Sequence, residues 1–200
     1  MVRRALALGA LARVIAADGG ARAAAALGCA VHTVIGDMDS LTPDEIAALR
    51  AQGTEVIRHP EEKDETDLEL ALQLAAADAT WIRIIGALGG RLDQLIANIY
   101  LLALPELAGC DVRLVDNRQE AWLMFPGECV IDGAAGDTLS LIPINGAAQG
   151  VQTTNLYYPL NDETLAFGPA RGVSNVFDAA QVRVALREGL LLVVHTVGRA

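Results

Sequence analysis

The sequence of 200 residues predicts an α/β fold in two domains. Residues 1–118 are predicted to form a Rossmann-like domain with a parallel sheet, and residues 119–200 an antiparallel β-sandwich. The first prediction comes from short apolar runs that alternate with helical stretches up to about residue 117, the order of a parallel sheet covered on both faces. The second comes from the later residues, where strand-like runs are separated by Gly, Pro, Asn and Asp without a strong helical period.

The elements of the first domain follow in order along the chain. Its strand-like runs are VIAA, VHTVI, TEVIRH, WIRIIGA and DVRLVD, and its helical stretches are GARAAAALG, the segment that starts at TPDE, DETDLELALQLAAAD and RLDQLIANIYLLAL. At TPDE, Thr42 is predicted as the N-cap, Pro43 as the first helical residue and Glu45 as the second member of a capping box. The opening segment MVRRALALGALA is too short for a complete βα unit.

The second domain is predicted to consist of strands. Its strand-like runs are EAWLMF, DTLSLIPI, VQTTNLYYPL, QVRVALREG and LLLVVHT. Because these runs are short and closely spaced, they are expected to pair as antiparallel neighbours.

The cysteines indicate a reducing compartment. Cys29, Cys110 and Cys129 are widely spaced and form no CxxC pair, which argues against a disulfide framework and against a zinc site. The N-terminal apolar stretch weakly resembles a signal peptide, but Arg13 interrupts it. A cytoplasmic location is therefore expected.

The charge of the chain limits its partners. A formal net charge of -10 argues against nucleic acid or an anionic membrane, since both require a basic surface. No apolar run approaches the length of a membrane span. Residues 37–69 hold eleven acidic residues against three basic ones, so most of the excess lies there. A polyanionic ligand is expected to bind such a chain only through a divalent cation.

Four polar loops follow predicted strands of the first domain. They are DGG at 18–20, GDMDS at 36–40, KDETD at 63–67 and GALGGRLDQ at 86–94. In parallel α/β sheets, ligands bind beyond the carboxyl ends of the strands. These loops are therefore expected to line one edge of the sheet.

The acidic loops carry candidate metal ligands. Asp37 and Asp39 offer hard oxygen ligands that suit Mg2+, although aspartates also serve such loops as turn formers. Asp64 and Asp67 stand three residues apart at a helix start, and one of them, with Asp67 favoured, is a further candidate ligand. Alternatively, both acids favour the helix dipole and Asp64 is the N-cap of the next helix. Lys63 is either a phosphate contact or a solvated surface lysine.

The glycine-rich loop carries candidate phosphate contacts. Gly89 and Gly90 can expose backbone N–H groups near a helix N-terminus, and Arg91 can donate two hydrogen bonds to a phosphate. Asp93 can orient a substrate hydroxyl or the metal shell. Glycine turns are also common packing features, so the prediction of a metal-bridged polyphosphate site depends on the combination of loops.

The chain resembles the thiamine pyrophosphokinase family. The motifs ADGG, GDMDSL, KDETD, GALGGRLDQ and, in the second domain, PLNDETLAFGPARGVSN are similar to those of the family in order and spacing, from about residue 15 to the C-terminus. The resemblance implies an enzyme that moves a diphosphoryl group from ATP to the hydroxyl of thiamine, giving thiamine diphosphate and AMP. It also implies a homodimer with Mg2+ as cofactor.

The matching positions imply roles for single residues. Metal binding is assigned to Asp37, Asp39 and Asp67, and catalysis to these three with Arg91 and Asp93. The residues assigned to ATP are Asp18, Gly19, Gly20, Lys63, Asp64, Thr66, Gly89, Gly90 and Arg91. Those assigned to thiamine are Asp93, Gln94, Ser174 and Asn175, although Ser174 and Asn175 also suit a polar turn between strands.

Two other functions fit the α/β motifs. One is a Mg2+-dependent diphosphokinase for another primary alcohol, such as a hydroxymethylpterin. The other is a nucleotide-binding module without turnover, which the short N-terminal segment favours. A smaller departure from the family pattern is Asn155, where a glycine is usual; asparagine tolerates the left-handed conformation.

Overall fold

A computed structural model describes residues 13–199 of the chain. Within them the chain divides into two compact units between Asp111 and Val112. The helices are α1 (Gly20–Ala26), α2 (Pro43–Ala51), α3 (Asp67–Ala76) and α4 (Leu92–Tyr100). The strands are β1 (Ile15–Ala17), β2 (Thr33–Gly36), β3 (Glu55–Arg58), β4 (Trp81–Ile85), β5 (Asp111–Asp116), β6 (Gln119–Met124), β7 (Gly127–Asp132), β8 (Thr138–Pro143), β9 (Ala148–Thr154), β10 (Glu163–Leu165), β11 (Asn175–Val176), β12 (Gln181–Leu186) and β13 (Leu191–Thr196).

The N-terminal unit contains a parallel sheet in the order β1-β2-β3, as the alternation of strands and helices predicts. Adjacent residues of β2 point to opposite faces, and each face has its own core. Val34 packs with Ala21 and Ile46, whereas Ile35 packs with Leu70 and Ala71 of α3. Helices therefore cover both faces of the sheet.

The fourth predicted strand lies outside this three-stranded sheet. A cavity of about 540 Å3 lies between β1 and β4, and it is lined by residues of both strands and of α1 and α3. The predicted lack of a complete βα unit before β1 concerns residues 1–12, which lie outside the described residues.

The helix starts confirm one prediction and correct another. At α2, Thr42 and Glu45 form the predicted reciprocal capping box. At α3, the N-cap is Thr66, whose hydroxyl accepts from the Glu69 N–H at 3.2 Å. The alternative role of Asp64 as N-cap is therefore wrong, because the helix begins at Asp67 and Asp64 precedes the cap.

The C-terminal unit is an antiparallel β-sandwich, as predicted. One sheet has the order β10-β9-β12-β7, and in the other β11, β8, β13, β6 and β5 are neighbours in that order. Buried side chains of both sheets form one core, including Val151, Val184, Leu139 and Val193. Within the run VQTTNLYYPL, β9 ends at Thr154, before Asn155, whose φ of 63° is the left-handed conformation that asparagine tolerates.

The strand formed by the run DVRLVD pairs with a strand of the other predicted domain. It was expected in the parallel α/β domain, but Leu114–Asp116 pair antiparallel with Gln119–Ala121 of β6. The two strands are joined by a tight turn at Asn117, whose φ is 39°. This hairpin joins most of β5 to the sandwich, so the units divide before the expected boundary at 118.

A buried histidine links two carboxylates of the sandwich. The ring of His195 is 1% exposed and stacks on Phe177. Its Nε2 lies 2.9 Å from Asp137 Oδ2, and its Nδ1 lies 3.7 Å from Glu120 Oε1, an ion-pair distance without a hydrogen bond. Burial alone would lower the pKa of His195, but Glu120 and Asp137 outweigh it and raise that pKa.

This cluster predicts how stability depends on pH. The raised pKa of His195 stabilises the fold at pH values below about 6.5, and that contribution is lost as pH rises through the folded-state pKa. The pKa values of Asp137 and Glu120 are lowered despite their burial, by N–H donors to Asp137 and by His195 and Arg113 beside Glu120. Their contribution is present above about pH 4.5 and is lost as pH falls.

We therefore expect this cluster to contribute most between about pH 4.5 and 6.5. His195→Gln should lower the free energy of unfolding by about 3 kcal/mol at pH 6, because it leaves the buried Asp137 carboxylate without a cation and leaves Glu120 with Arg113 alone. Urea unfolding at a series of pH values measures this. His59 is only partly buried and lies outside this cluster, so His59→Gln serves as control, and an equal pH profile for both variants would contradict the prediction.

None of the helices in residues 13–199 is both long and apolar enough to cross a membrane.

Candidate metal and phosphate site

Three aspartates from separate segments form a carboxylate cluster in the N-terminal unit. Asp18 follows β1, Asp37 follows β2, and Asp67 begins α3. One oxygen from each lies within 4.8 Å of the other two. The structure thus brings together Asp37 and Asp67, two of the residues predicted to bind metal, and adds Asp18, which the sequence assigned to ATP.

The backbone of the two strand-end loops turns sharply beside the cluster. Asp18 has a φ of 41° and Met38 a φ of 70°, conformations that few residues other than glycine adopt. Met38 is buried in the core of the unit. Such backbone strain persists only where the surrounding structure holds it, and it is common at functional sites.

The third predicted metal ligand, Asp39, lies outside the cluster. It is exposed, and its Oδ1 accepts a hydrogen bond from the hydroxyl of Ser40 at 3.0 Å. Its backbone N–H donates to Asp37 Oδ1 at 2.9 Å, which orients the Asp37 carboxylate. The role of Asp39 as a metal ligand stays a prediction.

Gly36 allows Asp67 to approach the loop that carries Asp37. A Cβ at this position would lie 2.8 Å from Asp67 Cγ and 2.9 Å from Asp67 Oδ1, closer than real side chains pack. The φ of Gly36 is 147°, which L-amino acids rarely adopt. The Asp67 carboxylate therefore packs directly against a backbone position that only glycine can fill.

The electrostatics of the cluster fit a divalent cation. Asp18 is 7% exposed, and its buried Oδ1 has no hydrogen-bond donor among the described residues, whereas Asp67 Oδ1 has the Lys63 ammonium 3.1 Å away as an ion-pair partner. The N–H of Asp39 and the ammonium of Lys63 lower the pKa of Asp37, so its carboxylate is charged at neutral pH. Buried anionic oxygens that lack donors are costly unless a cation lies among them, and carboxylate oxygens are the ligands that hard cations prefer.

A cavity of about 450 Å3 adjoins the cluster. Its walls come from the ends of β1 and β4 and the starts of α3 and α4. The predicted site residues that line it are Gly20, Lys63, Thr66, Asp67 and Gln94. The other predicted site residues are not among its lining residues: Asp18, Gly19, Asp37, Asp39, the exposed Asp64, Gly89, Gly90, Arg91, Asp93, Ser174 and Asn175.

Asn98 is a cavity residue that the sequence reasoning missed. Its side-chain amide donates to the carbonyl of Ala87 at 2.9 Å, which ties α4 to the glycine-rich loop. A signal for it was available, because Asn98 lies four residues after Gln94 and therefore on the same helix face.

Arg91 and Asp93 form an exposed ion pair at the start of α4. The guanidinium donates to both carboxylate oxygens, at 2.6 and 3.1 Å. Arg91 lowers the pKa of Asp93, and Asp93 raises the pKa of Arg91. Both side chains are largely exposed, so this pair adds little to stability and can open for a phosphate ligand.

The two predicted thiamine residues of the C-terminal unit lie side by side. Asn175 is buried, and its amide donates to the Tyr158 carbonyl at 2.7 Å while its oxygen accepts from the Tyr158 N–H at 3.0 Å. The Ser174 N–H donates to the Ser140 hydroxyl at 3.0 Å. Asn175 thus holds the loop with Tyr157 and Tyr158, and its role toward thiamine stays a prediction.

Comparisons with known protein families match both units. Residues 7–114 match the family model described as thiamin pyrophosphokinase, catalytic domain. Residues 128–191 match the model described as thiamin pyrophosphokinase, vitamin B1 binding domain. The first match alone covers more than half of the chain.

Individual proteins show the same similarity. Over 163 residues, which are 80% of this chain and 76% of the relative, the chain is 29% identical to the thiamine pyrophosphokinase of Bacillus subtilis. Its fold matches the crystal structure of that species' thiamine pyrophosphokinase with a TM-score of 0.82 and 27% identity, covering 92% of this chain and 86% of the other. A thiamin pyrophosphokinase family protein from Enterococcus faecalis matches with a TM-score of 0.82, 26% identity, and coverage of 92% and 88%.

Proposed function

The chain belongs to the thiamin pyrophosphokinase family, and from this premise we propose how its residues carry out the reaction. It is an ATP-dependent thiamine diphosphokinase, which makes thiamine diphosphate from thiamine and ATP. Atom balance makes AMP the other product. The oxygen of the thiamine hydroxyl forms a bond to the β-phosphorus, the bond from that phosphorus to the oxygen of AMP breaks, and the hydroxyl proton is released.

The single observation that supports this site most strongly is the carboxylate cluster beside the cavity. Enzymes of this kind typically need a divalent metal. We propose Mg2+, with Asp18, Asp37 and Asp67 as the side chains that would hold it, because small hard cations bind a few carboxylates together with substrate phosphates. When bound, the ion supplies positive charge that neutralises the triphosphate.

The other residues are proposed to bind and orient the substrates. Gly20, Lys63 and Thr66 line the cavity where the polyphosphate would lie, and Arg91 reaches a phosphate by opening its pair with Asp93. Asp93, once released, can accept a hydrogen bond from the thiamine hydroxyl. Catalysis then depends on positioning and charge neutralisation, as is usual for phosphoryl transfer.

Thiamine recognition is proposed to involve Gln94, Ser174 and Asn175. The vitamin B1 binding domain model includes Ser174 and Asn175, which supports their assignment. We also propose a homodimer, as the similarity of the motifs to the family implies, and the largely exposed Phe125, Val130 and Phe167 of the sandwich are candidates for its interface. Analytical ultracentrifugation tests that proposal, and a monomer at micromolar concentration would contradict it. A cytoplasmic location stays a prediction.

An acceptor series tests the function directly. With ATP and Mg2+, we expect AMP and thiamine diphosphate in equal amounts when thiamine is added, and none after chelation of the metal. Thiamine monophosphate is the matched control, since its hydroxyl is already esterified. AMP formed only with another primary alcohol, such as a hydroxymethylpterin, would contradict the choice of acceptor, and ATP binding without AMP formation would contradict catalysis.

A further inference from the structure

The single lysine of the chain lies against the carboxylate cluster. Every other member of the fifteen Lys and Arg residues is an arginine. The Nζ atom of Lys63 lies 3.1 Å from Asp67 Oδ1 and 3.6 Å from Asp37 Oδ2, and the Lys63 side chain is only 11% exposed. The Lys63 ammonium also donates a hydrogen bond to the carbonyl of Pro60 at 3.1 Å.

The cluster requires a nearby positive charge even when no metal is bound. Three carboxylates with oxygens within 4.8 Å of one another repel strongly where water is scarce. The Lys63 ammonium partly neutralises two of them, but Asp18 Oδ1 stays without a donor. Lys63 Nζ and Asp67 Oδ1 form an ion pair, so the attraction between opposite charges holds the ammonium beside the cluster.

Lysine suits a position beside the carboxylates that the ammonium must leave when a metal ion binds there. Its ammonium is a compact charge on a flexible stem, whereas a guanidinium pairs with carboxylates through a rigid planar fork. Lys63 also lines the cavity of about 450 Å3 beside the cluster, so its ammonium can turn from the carboxylates toward a phosphate there.

We propose that Lys63 is a displaceable counter-ion of the metal site. Its ammonium holds Asp37 and Asp67 together in the metal-free protein and moves to a phosphate oxygen when the divalent cation and the nucleotide bind. This inference rests on the proposed metal site but does not require thiamine as acceptor. It follows that the cation alone competes with Lys63, and that a nucleotide removes this competition by offering the ammonium another anion.

Metal titration without nucleotide tests the competition. We expect Lys63→Gln to bind Mn2+ about tenfold more tightly than the unaltered protein, measured as free Mn2+ by electron paramagnetic resonance. Lys63→Arg keeps the charge and should show no such gain. Arg50→Gln, which removes one exposed positive charge from the same acidic segment, is the matched control and should bind Mn2+ like the unaltered protein. Equal or weaker Mn2+ binding by Lys63→Gln would overturn the proposal.

The unaltered protein provides an independent test, because a single lysine gives a single side-chain signal. With 15N-lysine labelling, we expect the Nζ resonance to shift when Mg2+ is added and to shift again with a nonhydrolysable ATP analogue. A resonance that neither addition moves would also overturn the proposal. Neither measurement depends on turnover, so a failure to form AMP would contradict the proposed function while leaving this result standing.

Discussion

Asp67→Asn is expected to lower kcat by about a thousandfold while the protein stays folded. The substitution keeps the shape of the side chain but removes one of the three charges of the carboxylate cluster. It also removes the anion nearest to Lys63 Nζ, at 3.1 Å, so both the cation and the ammonium lose a partner. AMP formation at saturating ATP and thiamine measures the effect, over a range of Mg2+ concentrations.

Asp64→Asn is the matched control for this variant. Asp64 has the same chemistry in the same KDETD motif, but it is exposed and lies outside the cluster and the cavity. We expect it to keep most of the activity. If both variants retained activity, the cluster would have no part in metal binding; if both lost activity equally, the geometry that separates them would be wrong.

Gly36→Ala should reduce activity about a hundredfold or more and lower the free energy of unfolding by about 3 kcal/mol. The added methyl group would lie 2.8 Å from Asp67 Cγ, so either the carboxylate or the β2 end must move. The φ of 147° adds backbone strain for any residue with a Cβ. Urea unfolding and steady-state kinetics measure the two effects separately.

Gly53→Ala is the control that separates the effect of backbone strain from the effect of a steric clash. Gly53 also has a positive φ, of 88°, but a Cβ there would meet nothing within 4 Å. We expect a loss of about 1 kcal/mol in stability and unchanged kinetics. Kinetics for Gly36→Ala that matched those of Gly53→Ala would show that the contact between Gly36 and Asp67 is unimportant for the reaction.

Local chemistry explains the parts of the fold that the sequence predicted. The capping box at Thr42 and the left-handed Asn155 depend on a few neighbouring residues, so they are readable from a short stretch. The N-cap of α3 was misjudged because KDETD offers two capping side chains, Asp64 and Thr66, and propensity does not choose between them. Packing of the helix against the sheet decides where it starts.

Contacts between residues that are distant in sequence were harder to predict. The run DVRLVD has the composition of a strand in either domain, and only its pairing with β6 places it in the sandwich. In the same way, the sequence places Asn98 on the helix face of Gln94, but the hydrogen bond from Asn98 to Ala87 becomes evident only when α4 is positioned beside the glycine-rich loop.

The order of strands, helices and polar loops, and with it the family, was determined by the sequence alone, because motif spacing and hydrophobic period are properties of the linear chain. Only the tertiary structure decided which carboxylates meet. Asp37 and Asp39 are equivalent as residue types, but the buried Met38 between them and the approach of Asp67 to Gly36 leave Asp37 inside the cluster and Asp39 outside it. Side-chain direction depends on backbone turns and on contacts across the sheet, which residue identities do not specify.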